Sequence, residues 1–110
     1  MFSGGEERDM RITETERRVL RDEARQAFGA DSRVFLFGSR VDDARRGGDI
    51  DLLVETGKTG HAAIFEAQLR FLARVKLALG DQKIDVLVDY PDRTCRPEIF
   101  RIARAQGVPL

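Results

Sequence analysis

The chain has 110 residues with 19 basic and 19 acidic side chains, so its formal net charge is zero. This length fits one domain, and the balanced charge argues against nucleic acid as the main partner. The single Cys excludes an internal disulfide and a Cys-based zinc site. Since no apolar run reaches the ~18 residues of a membrane span and no signal-peptide pattern is present, we expect a small, soluble, cytoplasmic protein.

The first part of the chain changes character at residue 12. Residues 1–11 combine small and charged side chains without periodicity, which predicts a mobile N-terminal tail ahead of a single domain over residues 12–110. Thr13 and Glu16 have the spacing of a capping box. Apolar residues follow at helical spacing, so the first helix is predicted over residues 14–28.

Two strands and a long helix are predicted for the middle of the chain. Residues 33–37 are β-branched and aromatic and predict a buried strand, and an Arg-, Asp- and Gly-rich loop leads to a second strand over residues 49–55. Residues 61–79 predict the longest helix, whose apolar stripe is too wide to face one sheet entirely. The remainder is expected to form a partner surface. The large residues of this stripe are Phe65, Leu69, Phe71, Leu72 and Leu79.

The last elements complete the order α-β-β-α-β-α. A third strand is predicted over residues 83–88, followed by a helix with Pro97 at its first position and Gly107 at its end. The loop between the first two strands has no helical pattern, which favours antiparallel pairing, whereas the long helix can form a parallel crossover. The expected fold class is α/β (α+β), a small mixed sheet with helices packed against it.

Two acidic residues open the second predicted strand. Asp49 and Asp51 flank Ile50, and because strand side chains alternate, the two acids share one face while Ile50 points to the other. Like charges on one face repel, and burying them without a partner is costly. A divalent cation between them removes both problems, and carboxylate oxygens suit Mg²⁺ or Mn²⁺. On its own, an acidic pair at a strand start is usually a solvated edge or a cap.

A third carboxylate strengthens the metal-site interpretation. Asp85 interrupts an otherwise apolar third strand and points to the face opposite Ile84 and Val86. If the second and third strands are neighbours, Asp85 lies beside Asp49 and Asp51, and three convergent carboxylates suit a two-metal phosphoryl-transfer site. The alternative for Asp85 alone is a solvent-facing residue of an edge strand.

The segment Gly38-Ser39-Arg40 directly follows the first strand. Gly38 allows close approach of the backbone to a phosphate, and Ser39 offers a hydroxyl and a backbone N–H. The planar guanidinium of Arg40 can contact phosphate. By themselves, a Ser after Gly is most often a turn residue, and an Arg in a loop equally fits a surface role.

Other polar residues have simpler interpretations. Arg45 and Arg46 fit a solvated loop better than contact with a nucleotide or partner. His61 has no second His or Cys with which to share a metal and is expected to be a cap or surface residue. Tyr90 is expected to pack at the strand end rather than stack on a base, and nothing near Cys95 predicts an activated thiol.

The pattern as a whole resembles a known signature. Gly38-Ser39, nine intervening residues and Asp49-Ile50-Asp51 resemble the nucleotidyltransferase signature of the DNA polymerase β superfamily, with Asp85 matching its third acidic residue. The short length and the Gly38-Ser39-Arg40 form are similar to the minimal nucleotidyltransferases (MNT). Those single-domain proteins are commonly the antitoxin partner of a HEPN-domain toxin. The resemblance covers roughly residues 14–107.

This resemblance implies a role for each matching residue. The implied catalytic and metal-binding residues are Asp49, Asp51 and Asp85, with Mg²⁺ as the expected cofactor and Mn²⁺ as the alternative. Asp85 would also help to deprotonate the acceptor hydroxyl. The implied nucleotide-binding residues, which would hold the phosphates of ATP, are Gly38, Ser39 and Arg40.

The resemblance also implies an activity and a partner. The reaction would transfer AMP from ATP, with loss of pyrophosphate, to a hydroxyl of a HEPN toxin, typically a Tyr near its active site. The toxin–antitoxin pair would form a hetero-oligomer. One alternative is an antitoxin that neutralises the toxin by binding without catalysis. Another is nucleotidylation of a small molecule, although relatives with that activity usually carry a second domain.

Overall fold

The structure is a computed structural model that describes residues 12–38 and 50–110. The predicted N-terminal tail over residues 1–11 lies outside these ranges, as does the loop over residues 39–49. The described elements are α1 (Glu14–Phe28), β1 (Arg33–Phe37), β2 (Ile50–Glu55), α2 (His61–Leu79), β3 (Ile84–Asp89), α3 (Glu98–Gln106) and β4 (Val108–Pro109). Among the described helices, none is long and apolar enough to cross a membrane.

Helix α1 begins at the capping box that the sequence predicts. The Glu16 N–H donates to Thr13 Oγ1 at 3.0 Å, and the Thr13 N–H donates to Glu16 Oε1 at 2.9 Å. These reciprocal bonds satisfy N–H groups that the start of a helix leaves without intrahelical partners. The helix ends at Gly29, whose φ of 120° is costly for residues with a side chain.

The four described strands form one sheet in the order β3-β2-β1-β4. Strand β1 is antiparallel to β2, and β2 is parallel to β3 through the crossover helix α2, so both predicted pairings are confirmed. The sequence did not predict β4, which pairs antiparallel with β1 through Leu36 and Val108. Strand β3 therefore forms one edge of the sheet and β4 the other.

The start of α3 differs by one residue from the prediction. The sequence predicts Pro97 at the first helical position, but Pro97 is the residue before the helix, with an extended ψ of 165°. Its carbonyl oxygen accepts the Phe100 N–H at 2.9 Å. The ring removes a backbone N–H that the helix start does not need, so either position suits Pro.

Both faces of the sheet are covered by helices, and the side chains of β2 alternate between the two faces. Ile50, Leu52 and Val54 are completely buried against the side of α1 and α2. Leu53 points to the other side and packs in a smaller cluster with Phe100 of α3. Because side chains alternate along a strand, the odd-numbered positions of β2 all face the α3 side. This alternation decides where the acidic residues lie.

Candidate active site

The parallel register of β2 and β3 places Asp51 directly beside Asp85. Both residues share the sheet face of Leu53 and Leu87, which pack in the α3 cluster. Neighbouring strands lie about 4.8 Å apart, so these two carboxylates are adjacent across the sheet. The structure therefore brings together two of the three acidic residues that the sequence singled out.

The two carboxylates have different environments. Asp51 is half-buried in an interior strand, whereas Asp85 is exposed on the edge strand β3. Exposure at an edge is what the solvent-facing alternative for Asp85 expects. Its register position favours the site interpretation, because a purely solvated acid gains nothing from a second carboxylate directly opposite.

Gly38 lies next to Asp51, at the end of β1. A Cβ added to Gly38 would lie 2.3 Å from Asp51 Oδ2, and its φ of +82° is unfavourable for other residues. The Gly38 N–H donates to Gln106 Oε1 at 3.3 Å, which links the turn to α3. Glycine is therefore required here both for backbone conformation and to leave room for the carboxylate.

The remaining predicted site residues lie outside the described ranges. They are Ser39, Arg40 and Asp49, together with Arg45 and Arg46. Within residues 12–38 and 50–110, no group of three or more His, Cys, Asp and Glu side chains could hold a metal ion. The described part of the site thus contains two of the three acidic residues, and the roles of all the predicted site residues stay predictions.

The donor set of this site fits a hard divalent cation. Asp51 and Asp85 offer carboxylate oxygens on one face, and Gly38 leaves the space beside Asp51 clear of a side chain. Mg²⁺ is commonly bound by one or two protein carboxylates, with waters and substrate phosphates completing its shell. The two described residues therefore suit an ion that is shared with a triphosphate.

A second acidic pair lies at the other end of the same two strands. Glu55 and Asp89 are also register partners, and Asp89 is only 7% exposed. Arg104 of α3 pairs with both, at 2.6 Å to Glu55, and Arg96 Nε donates to Asp89 at 2.7 Å. Because arginine guanidinium groups pair with both carboxylates, we interpret this acidic pair as one that stabilises the fold. Sequence reasoning missed it, although both acids lie four residues after the acidic pair described above.

An open cavity of about 310 Å³ lies beside β3, between α2 and α3. Sequence reasoning did not find it, because it depends on which strand ends the sheet. Tyr90 is buried at the strand end, as expected, and its hydroxyl lies 2.6 Å from His61 Nδ1. Side chains lining the cavity include His61, Phe65, Gln68, Val86, Arg93 and Phe100.

Comparison with known proteins gives one family. The family model described as "Nucleotidyltransferase domain" matches residues 17–99. The matched range covers β1, β2, α2 and β3, and therefore Gly38, Asp51 and Asp85. No curated protein has a significantly similar sequence.

Proposed function

We propose, since the chain belongs to the nucleotidyltransferase domain family, that it is a protein adenylyltransferase. In this proposal it transfers AMP from ATP to a hydroxyl of a partner HEPN-domain toxin and thereby acts as an antitoxin. Nucleotidyl transfer is the chemistry of the family, whose domains typically use nucleoside triphosphates and divalent metal ions. The observation that carries the proposal is the Asp51–Asp85 pair beside the turn at Gly38.

Each described residue of the candidate site has its own role in the proposed reaction. Asp51 and Asp85 would hold Mg²⁺, which when bound supplies positive charge for the phosphate oxygens. The half-buried Asp51 fixes one side of the site, and the backbone at Gly38 approaches the triphosphate. The more exposed Asp85 accepts the proton of the acceptor hydroxyl. The hydroxyl oxygen bonds to the α-phosphorus, the α–β phosphoanhydride bond breaks, and pyrophosphate leaves.

The acceptor is proposed to be a protein because the described residues leave Asp85 exposed on the edge strand β3, where a large molecule can approach it. Phe65 and Leu69 of α2 are 63% and 53% exposed, as the wide apolar stripe of that helix predicts. Exposed apolar side chains of this kind favour contact with another protein.

Intact-mass measurement tests the proposed reaction. The purified chain, Mg²⁺ and ATP are mixed with a HEPN-domain toxin, which should gain one or more AMP units. Asp51→Asn and Asp85→Asn should each lower the rate by about 100-fold or more, because each removes charge stabilisation from the transition state. Omitting Mg²⁺ and adding a chelator should have the same effect.

A matched variant separates the site from a general loss of charge. Asp81 is exposed and pairs with Lys76 outside the site, so Asp81→Asn should retain a rate within about twofold of the wild type. Undiminished AMP transfer by Asp51→Asn would show that the site is wrongly assigned. A stable, silencing complex without any mass gain would instead favour the antitoxin that acts by binding alone.

A further inference from the structure

Among residues 12–38 and 50–110, strand β3 presents an open hydrogen-bonding edge. It ends the sheet order β3-β2-β1-β4. The Ile50 N–H donates to the Lys83 carbonyl at 3.0 Å, and the parallel ladder continues with the odd-numbered carbonyls of β3 directed toward β2. By alternation, the N–H and C=O groups of Val86 and Val88 face away from β2. They therefore point toward the open side of the sheet.

Side chains, rather than another strand, cover this edge in the described part of the chain. Gln68 Nε2 lies 3.5 Å from the Val86 carbonyl oxygen, and Arg93 Nη1 lies 3.4 Å from that of Val88. Both distances are well beyond the usual value of about 2.9 Å, so these contacts are weak. Side chains held by weak contacts can be displaced by the N–H groups of an incoming strand.

The edge also has a place for an apolar side chain. The cavity of about 310 Å³ lies directly beside Val86 and Val88, and Phe65 on its rim is 63% exposed. Peptides that add to a sheet edge gain affinity from main-chain hydrogen bonds and specificity from such pockets. The edge offers main-chain hydrogen bonds and the cavity offers a pocket, and an extended peptide segment needs both to bind.

We propose that the acceptor protein supplies an extended segment that pairs with β3 as an added strand and carries the hydroxyl that receives AMP. This inference rests on the function proposed above and deepens it. Asp51 and Asp85 are register neighbours on one face, and an added strand would continue the same row one strand spacing further. A Tyr, Ser or Thr at that position would point to the same face as Asp85.

The same geometry argues against a second copy of this chain as the occupant. Residues 84–89 of β3 have the sequence IDVLVD, which contains no Ser, Thr or Tyr. Antiparallel pairing of two β3 strands would therefore bring no hydroxyl-bearing strand residue beside Asp85. An acceptor segment from another protein can supply that residue, and continuity between the edge and the carboxylate pair favours this occupant.

Amide hydrogen exchange gives the first test. With the HEPN-domain protein present in excess, exchange at the Val86 and Val88 amides should slow by about tenfold or more. The amide of Val54, inside the sheet on β2, provides an internal reference that should not respond. A complex without protection at Val86 and Val88 would overturn edge docking, and AMP transfer in that complex would leave the proposed function standing.

Two pairs of variants test the edge through kinetics. Val86→Pro removes the outward N–H, whereas Val86→Ala shortens the side chain and keeps this N–H. The ratio of their KM values for the partner therefore isolates the contribution of the hydrogen bond. Val86→Pro should have a KM for the partner about tenfold above that of Val86→Ala, with equal ATP affinity. Phe65→Ala should also raise this KM, whereas Leu77→Ala, 85% exposed and outside the cavity lining, should not.

The remaining outcomes are also decisive. Thermal melting shows whether Val86→Pro folds. If this variant does not fold, the KM values of Phe65→Ala and Leu77→Ala for the partner test docking beside β3 instead. Protection at the edge without AMP transfer would support docking there and reject the proposed chemistry. Loss of self-association in Val86→Pro, with unchanged partner modification, would identify a second copy as the occupant. Absence of any complex with the partner would overturn both proposals.

Discussion

At the scale of single residues, Gly38 couples backbone conformation to the position of a carboxylate. Its positive φ excludes most residues energetically, and the distance of 2.3 Å between an added Cβ and Asp51 Oδ2 excludes them sterically. Gly80 offers a comparison within the same chain, because it has a φ of +84° and, its chain neighbours apart, no described residue within 4 Å of an added Cβ. The two glycines therefore share the conformational constraint and differ in the steric one.

Replacing these glycines separates the two constraints. Gly38→Ala and Gly80→Ala should each lower the free energy of unfolding by about 1–2 kcal/mol through the positive φ. Only Gly38→Ala should also lower AMP transfer, by about tenfold or more, because the added methyl group displaces Asp51. Denaturant unfolding and partner labelling measure the two effects. Equal loss of transfer in both variants would contradict a specific role for the Gly38 turn.

At the scale of secondary-structure elements, Arg104 attaches α3 to two strands at once. It pairs with Glu55 of β2 and Asp89 of β3, which are adjacent carboxylates. Arg104→Met should therefore destabilise the fold by about 2–3 kcal/mol, since the buried Asp89 keeps only Arg96 among its described guanidinium partners. Chemical denaturation measures this loss.

Arg101 provides the control on the same helix. Its pair with Glu98 is exposed, so Arg101→Met should change the free energy of unfolding by less than about 1 kcal/mol. A similar loss in both variants would show that α3 depends on total charge rather than on the bridge to Asp89.

Most elements could be predicted from local sequence patterns. The capping box at Thr13 and the periodicity of α2 are contained within each segment, and both helices have the predicted bounds. Strand β4 could not be predicted in this way, because its two residues show no alternation and pair only through the distant β1. Gly107 before it leaves room for contact, since a Cβ there would lie 3.0 Å from Phe35 Cβ.

The same distinction between local and long-range features applies to the candidate site. The neighbourhood of Asp51 and Asp85 follows from alternation once β2 and β3 are assumed to be adjacent. The Glu55–Arg104–Asp89 bridges and the cavity beside β3 require the sheet order and the placement of α3, which no local pattern contains. The sequence therefore predicts that Asp51 and Asp85 are neighbours, but it does not predict what surrounds them.

At the scale of the whole molecule, stability depends chiefly on the core between the sheet and the helices α1 and α2. Phe71 is fully buried there, with its ring centroid 5.8 Å from that of Phe28. Phe71→Ala should lower the free energy of unfolding by about 3–5 kcal/mol, a large part of the ~5–15 kcal/mol typical of a domain. Thermal or chemical unfolding measures this change.

Phe65 on the same helix should behave differently. With 63% of its surface exposed, Phe65→Ala should change stability by about 0.5 kcal/mol or less. A loss of partner affinity in that variant would then reflect contact rather than unfolding. If Phe65→Ala destabilised the fold as strongly as Phe71→Ala, the partner surface would instead be part of the core.

The alternation of β2 has an evolutionary consequence. Leu52 and Val54 hold the core, while Asp51 lies between the core positions Ile50 and Leu52 and faces the opposite side of the sheet. A lineage that replaced Asp51 or Asp85 by a neutral residue would lose charge on one face without opening a cavity on the other. Descendants could therefore abandon the proposed reaction yet keep the same architecture and the proposed docking edge, so a shared fold does not guarantee a shared chemistry.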